Sequence, residues 1–223
     1  MIGNAKKLAA EKAVEFVQDG MIVGLGTGST SFFAIHRIAE RIKQEGLKIQ
    51  AVSSSKSSEE LAVQLGIPLI PFAEVDSIDL TIDGADEVDG EFNLIKGGGG
   101  ALLREKILAS NSRKFIVIVD ESKVVKRLGK FPLPVEIVPF AAELTIKNLG
   151  KLECTPTVRM IDGKPFLTDN GNWIVDCRFG EIANPDVLGR QLKAIAGVVE
   201  HGLFIAMTDT VAVGHSDGTT RFL

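Results

Sequence analysis

The stretch Lys96-Gly-Gly-Gly-Gly-Ala-Leu-Leu-Arg-Glu105 sets a cation and an acid at the two ends of a glycine run. Consecutive glycines are costly in backbone entropy, so a fold keeps them chiefly where backbone must approach a ligand or take positive φ. Lys96 offers positive charge at the head of the run, and Gly97, Gly98 and Gly99 offer backbone N–H groups. Glu105 follows Ala101 by one helical turn and precedes Leu108 by another. Those apolar neighbours could desolvate its carboxyl and raise its pKa toward the range of a general base. The same spacing also allows a solvated Glu105 paired with Arg104 or Lys106.

A second acidic stretch, Asp83-Gly-Ala-Asp-Glu-Val-Asp89, follows an apolar run. A calcium loop with Gly90 in its sixth position would put Ala85 first and Lys96 twelfth, so its ligands fail. An acidic surface turn is the other alternative; because Asp83 and Asp86 directly follow the apolar run, they, with Gly84 and Ala85 between them, are the candidate substrate contacts. Asp89-Gly90 has the composition of an ordinary turn. A third stretch, Gly24-Leu-Gly-Thr-Gly-Ser-Thr30, is expected to lead from a strand into a helix. That geometry suits an anion, because unpaired N–H groups and the helix N-terminus face it. Thr27, Gly28, Ser29 and Thr30 are the candidate binders. The loop lacks the last glycine of a dinucleotide fingerprint and the Gly-Lys-Ser/Thr of a nucleotide-phosphate loop. Ser53–Ser58 reads either as a further set of hydroxyl donors with Lys56 or as a helix cap, with Ser57 and Glu60 as a possible capping box.

The elements that must hold these loops alternate. Apolar positions from Ala5 to Val17 predict a first helix, ended at Asp19-Gly20. Strand-like runs follow at Met21–Leu25, Lys48–Val52, Ile67–Ile70, Ile78–Ile82 and Phe115–Val119. Helices are expected between them, one stopped by Gly46, one by Gly66 and one spanning Ala101–Ser110. Apolar strands separated by helices imply a doubly wound, mainly parallel α/β sheet covered on both faces. Ligands of such sheets sit beyond the carboxyl ends of the strands. The four unusual loops are expected to fall there. From Phe131 the pattern changes: prolines punctuate the chain, Ile161-Asp-Gly-Lys164 predicts a hairpin, and Asn184-Pro185 caps a helix reaching about Gly197. This reads as a smaller α+β domain over 131–202, beside a larger domain over 1–130 and 203–223. The tail carries a turn at Ser216-Asp-Gly218, and its strands could return to the first sheet.

Bulk properties narrow the function classes. The 223 residues carry 25 basic and 29 acidic side chains, a net charge of −4. A nucleic-acid partner would favour a basic excess, and none is present. No apolar run is long enough to span a bilayer, and the N-terminus has no signal-peptide pattern, so neither a membrane nor a nucleic acid is expected as partner. A cytoplasmic protein follows, in which Cys154 and Cys177 would be unpaired thiols.

The ordered set GLGTGST, DGADEVD and KGGGGALLREK, followed by Asp120-Glu-Ser-Lys123, resembles the type A ribose-5-phosphate isomerases over nearly the whole chain. The resemblance implies interconversion of ribose 5-phosphate and ribulose 5-phosphate in the pentose phosphate pathway, with no metal or other cofactor. It implies that Glu105 transfers the proton, that Lys96, Asp83 and Asp86 belong to the site, and that Thr27–Thr30 and Lys123 bind the sugar phosphate. Lys6, or by a shift of register Lys7, would approach the phosphate. A homodimer or homotetramer is implied as well.

The residue types suit such a reaction. A proton must leave carbon 2 and arrive at carbon 1, and one carboxylate can serve both steps. Lys96 and the glycine N–H groups would stabilise the enediolate; Asp83 would assist ring opening and Asp86 would fix sugar hydroxyls. A coenzyme A transferase would instead use a glutamate as nucleophile, and an amino-sugar-phosphate deaminase would release ammonia. A non-catalytic sugar-phosphate sensor would have no use for this set of charged groups.

Overall fold

A computed structural model describes residues 2–223, of Ile2 the backbone alone. The chain forms two compact units: Met1–Ala85 with Arg104–Val124 and Met207–Leu223, and Asp86–Leu103 with Val125–Ala206.

The first unit is built on a six-stranded sheet. Its strands lie in the order Thr220–Phe222, Thr210–Gly214, Phe115–Asp120, Leu80–Gly84, Ile22–Leu25, Gln50–Ser53. All neighbours are parallel except the edge hairpin of Thr210–Gly214 with Thr220–Phe222. Successive strand residues point to opposite faces. Val23, Leu25, Leu80, Ile82, Ile116 and Ile118 pack with Ala9, Ala13, Ile35 and Ile38 of the helices Ile2–Val14 and Ser29–Glu45. Val52 and Ile22 point the other way and pack with Leu108 of the helix Leu102–Ser110. Helices thus cover both faces, and all six residues of Phe115–Asp120 are buried. This is the α/β, mainly parallel sheet expected, and the tail does return to it.

Local signals place most elements. Gly46 and Gly66 close their helices in the left-handed conformation. Asn184 Oδ1 accepts from Val187 N at 3.2 Å, with Pro185 at the first helical position. Four expectations shift. The helix opened by Asn184-Pro185 ends at Lys193 rather than near Gly197. The first helix ends at Val14, because Phe16 and Val17 donate to carbonyls three residues back rather than four, tightening the last turn. Ile67–Ile70 contributes a single bridge, Ala51 to Leu69. The helix Lys56–Leu65 is capped by Ser55, whose side chain accepts from Ser58 N, so no capping box forms at Ser57 and Glu60.

The second unit holds a four-stranded antiparallel sheet in the order Val198–His201, Leu133–Ile137, Trp173–Arg178, Thr155–Val158. The helices Ala142–Gly150 and Pro185–Lys193 contribute Ala142, Leu149, Leu188 and Leu192 to its core. The hairpin at Asp162-Gly163 forms as expected. A three-stranded sheet joins Leu203–Phe204, Leu94–Ile95 and Glu87–Val88. It explains a difference from the division at 131 and 203: Asp86–Leu103 clusters with the second unit because Leu94–Ile95 pairs with Leu203–Phe204, and Glu87–Val88 pairs with Leu94–Ile95. Among the described residues no helix is long and apolar enough to cross a membrane, and Cys154 and Cys177 are free thiols.

Candidate active site

In the first unit Asp83 is the organising group. It is the penultimate residue of the strand Leu80–Gly84 and is 1% exposed. Its Oδ1 accepts from Thr27 N at 2.9 Å, Ser31 Oγ at 3.0 Å and Gly84 N at 2.7 Å. Three converging donors fix the carboxylate in one orientation. The approach requires glycine at position 26, where an added Cβ would lie 2.1 Å from Asp83 Oδ1. Ser31, fully buried, was not singled out by sequence. Its partner stands 52 positions away, and only its placement one turn into the following helix could have suggested it.

The loop Gly26–Thr30 does lead from a strand into a helix, with Gly28 as the N-cap of Ser29–Glu45. Thr27 is turned inward: its hydroxyl meets Ser54 Oγ and Ser55 Oγ, each at 2.8 Å, and Ser58 Oγ at 3.3 Å. Ser58 Oγ donates to Gly26 O at 2.7 Å. The helix-cap reading of Ser53–Ser58 holds at Ser55, and Ser54, Ser55 and Ser58 also brace the loop through Thr27 and Gly26. Gly28 and Ser29 are exposed and Thr30 is half-buried. Lys6 Nζ donates to Ser29 Oγ at 2.9 Å, whereas Lys7 faces Glu11 at 3.7 Å on the exposed side of its helix. Of Lys6 and Lys7, Lys6 is the one that reaches the loop. A cavity of about 600 Å³ opens here, lined by Lys6, Gly28, Ser29, Phe32, Ser57 and Leu61 among others.

Glu105 also belongs to the first unit. It lies in the first turn of Leu102–Ser110 and is 5% exposed. Arg104 and Lys106 beside it are only partly covered. Burial removes the solvated reading of this glutamate. Lys123 ends a short 3-10 helix, Glu121–Lys123, capped by Asp120 through Ser122 N at 3.1 Å. Glu121 is tied to the tail turn: Oε1 accepts from Ser216 N and Oε2 meets His215 Nδ1, both at 3.0 Å. Hydrogen bonds from Ser216 and then His215 hold the Glu121 carboxyl down at about 2.

In the second unit Lys96 is 2% exposed. Its backbone N donates to Gly202 O at 2.9 Å, and its Nζ lies 5.5 Å from the Phe204 ring centroid. The next four glycines form a turn in which Gly100 N donates to Gly97 O at 2.9 Å. Gly98 and Gly99 are exposed. Asp86 accepts from Gly98 N at 2.7 Å through Oδ2. A Cβ at position 98 would come within 2.5 Å of Asp86 Oδ1, so glycine is required for this close approach. The other acids of the motif serve the fold. Glu87 is buried and accepts from Gly129 N and Phe131 N at 2.7 and 2.6 Å. Asp89 closes its own turn through Glu91 N and Asn93 N. Arg159, also unmarked by sequence, donates to the carbonyls of Gly97 and Gly98. No group of three or more potential metal ligands occurs among the described residues.

Each unit therefore carries its own acid-and-loop arrangement, one around Asp83 and one around Asp86. The two carboxylates that would do different work are held by different backbone amides. The family model of ribose 5-phosphate isomerase A, also called phosphoriboisomerase A, matches residues 50–218. Ribose-5-phosphate isomerase A of Bacillus mycoides is 53% identical over 220 residues, covering 98% of this chain and 99% of the relative. A solved ribose 5-phosphate isomerase from Plasmodium falciparum superposes with TM-score 0.96 at 43% identity, over 99% of this chain and 98% of the other. A solved D-ribose-5-phosphate isomerase in complex with phospho-erythronic acid gives TM-score 0.96 at 40% identity, over 100% and 99%.

Proposed function

From the premise that the chain belongs to the ribose 5-phosphate isomerase A family, and so interconverts ribose 5-phosphate and ribulose 5-phosphate in the pentose phosphate pathway, we propose that Glu105 is its proton carrier. The observation that carries this role is the burial of Glu105 in the first turn of its helix, between partly covered basic neighbours. The carboxylate removes the proton from carbon 2 and returns it to carbon 1, leaving an enediolate between the two steps. Lys96 and the N–H groups of Gly97 and Gly99 stabilise the charge that develops on oxygen, while the Gly98 N–H holds Asp86. Asp83, held by three donors, handles the hydroxyl proton during ring opening with Gly84 and Ala85 alongside. Asp86 fixes sugar hydroxyls. The phosphate is held at the start of the helix Ser29–Glu45 by Gly28, Ser29 and Thr30, where N–H groups and Lys6 supply positive potential. Thr27 acts as scaffold through its serine contacts, and Lys123 grips another part of the substrate. The relative solved with phospho-erythronic acid supports a site for a phosphorylated, acidic sugar derivative.

The enzyme works in the cytoplasm as a homodimer or homotetramer; light scattering of the purified protein reads the assembly. The proton role is tested with Glu105→Gln, which keeps the shape and removes the base. Ketopentose phosphate formation should fall by about 10²–10⁴-fold, and solvent deuterium should cease to enter the sugar. Normal turnover by the variant would sink the assignment.

A further inference from the structure

Arg159 sits between the strands Thr155–Val158 and Met160–Ile161, over sixty residues along the chain from the glycine turn. Its guanidinium works in two directions. Nε and Nη2 donate to the two carboxylate oxygens of Asp176 at 3.0 and 2.5 Å, the forked pairing that only arginine makes. Nη1 donates to Gly97 O and Gly98 O, both at 3.0 Å. Asp176 lies on Trp173–Arg178, a strand paired on both sides. One end of the clamp is thus anchored in a sheet, and the other holds a glycine turn. Phe166 lies against the same turn, since a Cβ on Gly100 would come within 2.3 Å of its ring.

The orientation of the peptide planes follows. In a trans peptide the C=O and the next N–H point in opposite directions. With Gly97 O on Arg159, Gly98 N–H must point away, and it does, onto Asp86 Oδ2 at 2.7 Å. With Gly98 O on Arg159, Gly99 N–H is likewise directed away from the guanidinium. Glycines leave such planes free to rotate, and a flip would present a carbonyl oxygen where an N–H had been.

We infer that Arg159, braced by Asp176, is a positioning residue for the isomerisation: it sets the Gly97–Gly99 peptide planes so that the Gly99 N–H faces the developing enediolate oxygen. The inference rests on the proposed role of the glycine N–H groups. Lysine at position 159 would keep the charge but could not hold two carbonyls and a carboxylate at once.

The test compares wild type, Arg159→Lys, Asp176→Asn and Glu105→Gln in ribose 5-phosphate turnover, with a thermal melt of each. Stabilisation expressed only in the transition state appears in kcat rather than KM. Losing one such donor outright costs about 10²–10³ in kcat, so a loosened turn should cost about 10–100-fold. Arg159→Lys should show that loss with KM within about threefold of wild type and an unchanged Tm; Asp176→Asn should move the same way by less. Wild-type kcat in the folded Arg159 and Asp176 variants would overturn the inference. So would a raised KM at unchanged kcat, which would make Arg159 a ground-state binder. If Arg159→Lys does not fold, Asp176→Asn, which retains the guanidinium, decides the matter by the same readout. An active Glu105→Gln would instead remove the proton-transfer reading, which keeps the two failures apart.

Discussion

Asp83 and Asp86 stand three positions apart, yet each is held by its own glycine and its own backbone amides. Asp83 is met by Gly26 and Asp86 by Gly98. The acids themselves were legible from the motif, as were the loop Thr27–Thr30 and Lys96. Ser31 and Arg159 were not, because the partners that give them meaning are 52 and about sixty positions away. Glu105 was ambiguous on spacing, and its burial removes the solvated alternative alone. The glycine approach to Asp83 carries a prediction. Gly26→Ala would force a Cβ to within 2.1 Å of Asp83 Oδ1 and 2.6 Å of its Cα. Relieving that overlap requires the carboxylate or the strand to move. Overpacking of this kind costs about 1–3 kcal/mol, and displacement of Asp83 should lower kcat as well. Gly90→Ala, with nothing within 4 Å of the added carbon, should leave both denaturant midpoint and turnover unchanged. Equal behaviour of the two variants would refute the close-approach argument.

At the scale of elements, punctuation by caps and glycines was the most readable feature. Gly46, Gly66 and Asn184-Pro185 all act where local chemistry placed them. The reading failed where two local solutions compete. Ser55 and Ser57 are both acceptable caps, and the choice fell to Ser55 because Ser55, Ser58 and Ser54 also bind the Gly26–Thr27 loop. Tertiary contacts, invisible in a local window, broke the tie. Asn184 has no such second duty in its cap: Oδ1 accepts from Val187 N at 3.2 Å on the exposed side of the helix. Asn184→Ala should therefore destabilise the protein by about 1 kcal/mol, measured by urea unfolding, and leave kcat and KM as they were. A change in kcat would mean that the cap is coupled to the chemistry, contrary to this assignment.

At the scale of the whole molecule, the alternation of strands and helices gave the class of the larger sheet, but not which segments belong to the second unit. Strands of two residues, such as Leu94–Ile95 and Leu203–Phe204, have no periodicity to read, and their pairing spans over a hundred positions. The tail is the counterexample, since Thr210–Gly214 is apolar enough to be recognised as a strand and joins the first sheet. Its turn is fastened to the segment carrying Lys123 by Glu121, and this gives the acid side of stability a specific contributor. The Glu121 carboxyl is lowered from 4.5 to about 2 by Ser216 and then His215. Because the folded-state value is the lower one, the stabilisation is complete above about 4.5 and is lost as pH falls through about 2. Asp217, lowered by Thr219, titrates on the same turn, so the wild-type curve alone cannot separate the two. Glu121→Gln can, because it removes one carboxyl and leaves Asp217, His215 and Lys123 in place. Melts of wild type and variant should differ most near neutral pH, by an amount that added salt reduces since the pair is exposed. The difference should shrink as pH drops below about 4.5 and vanish near 2. A Tm difference that stays constant down to pH about 2 would show that the carboxylate's charge plays no part in holding the tail turn to the Lys123 segment.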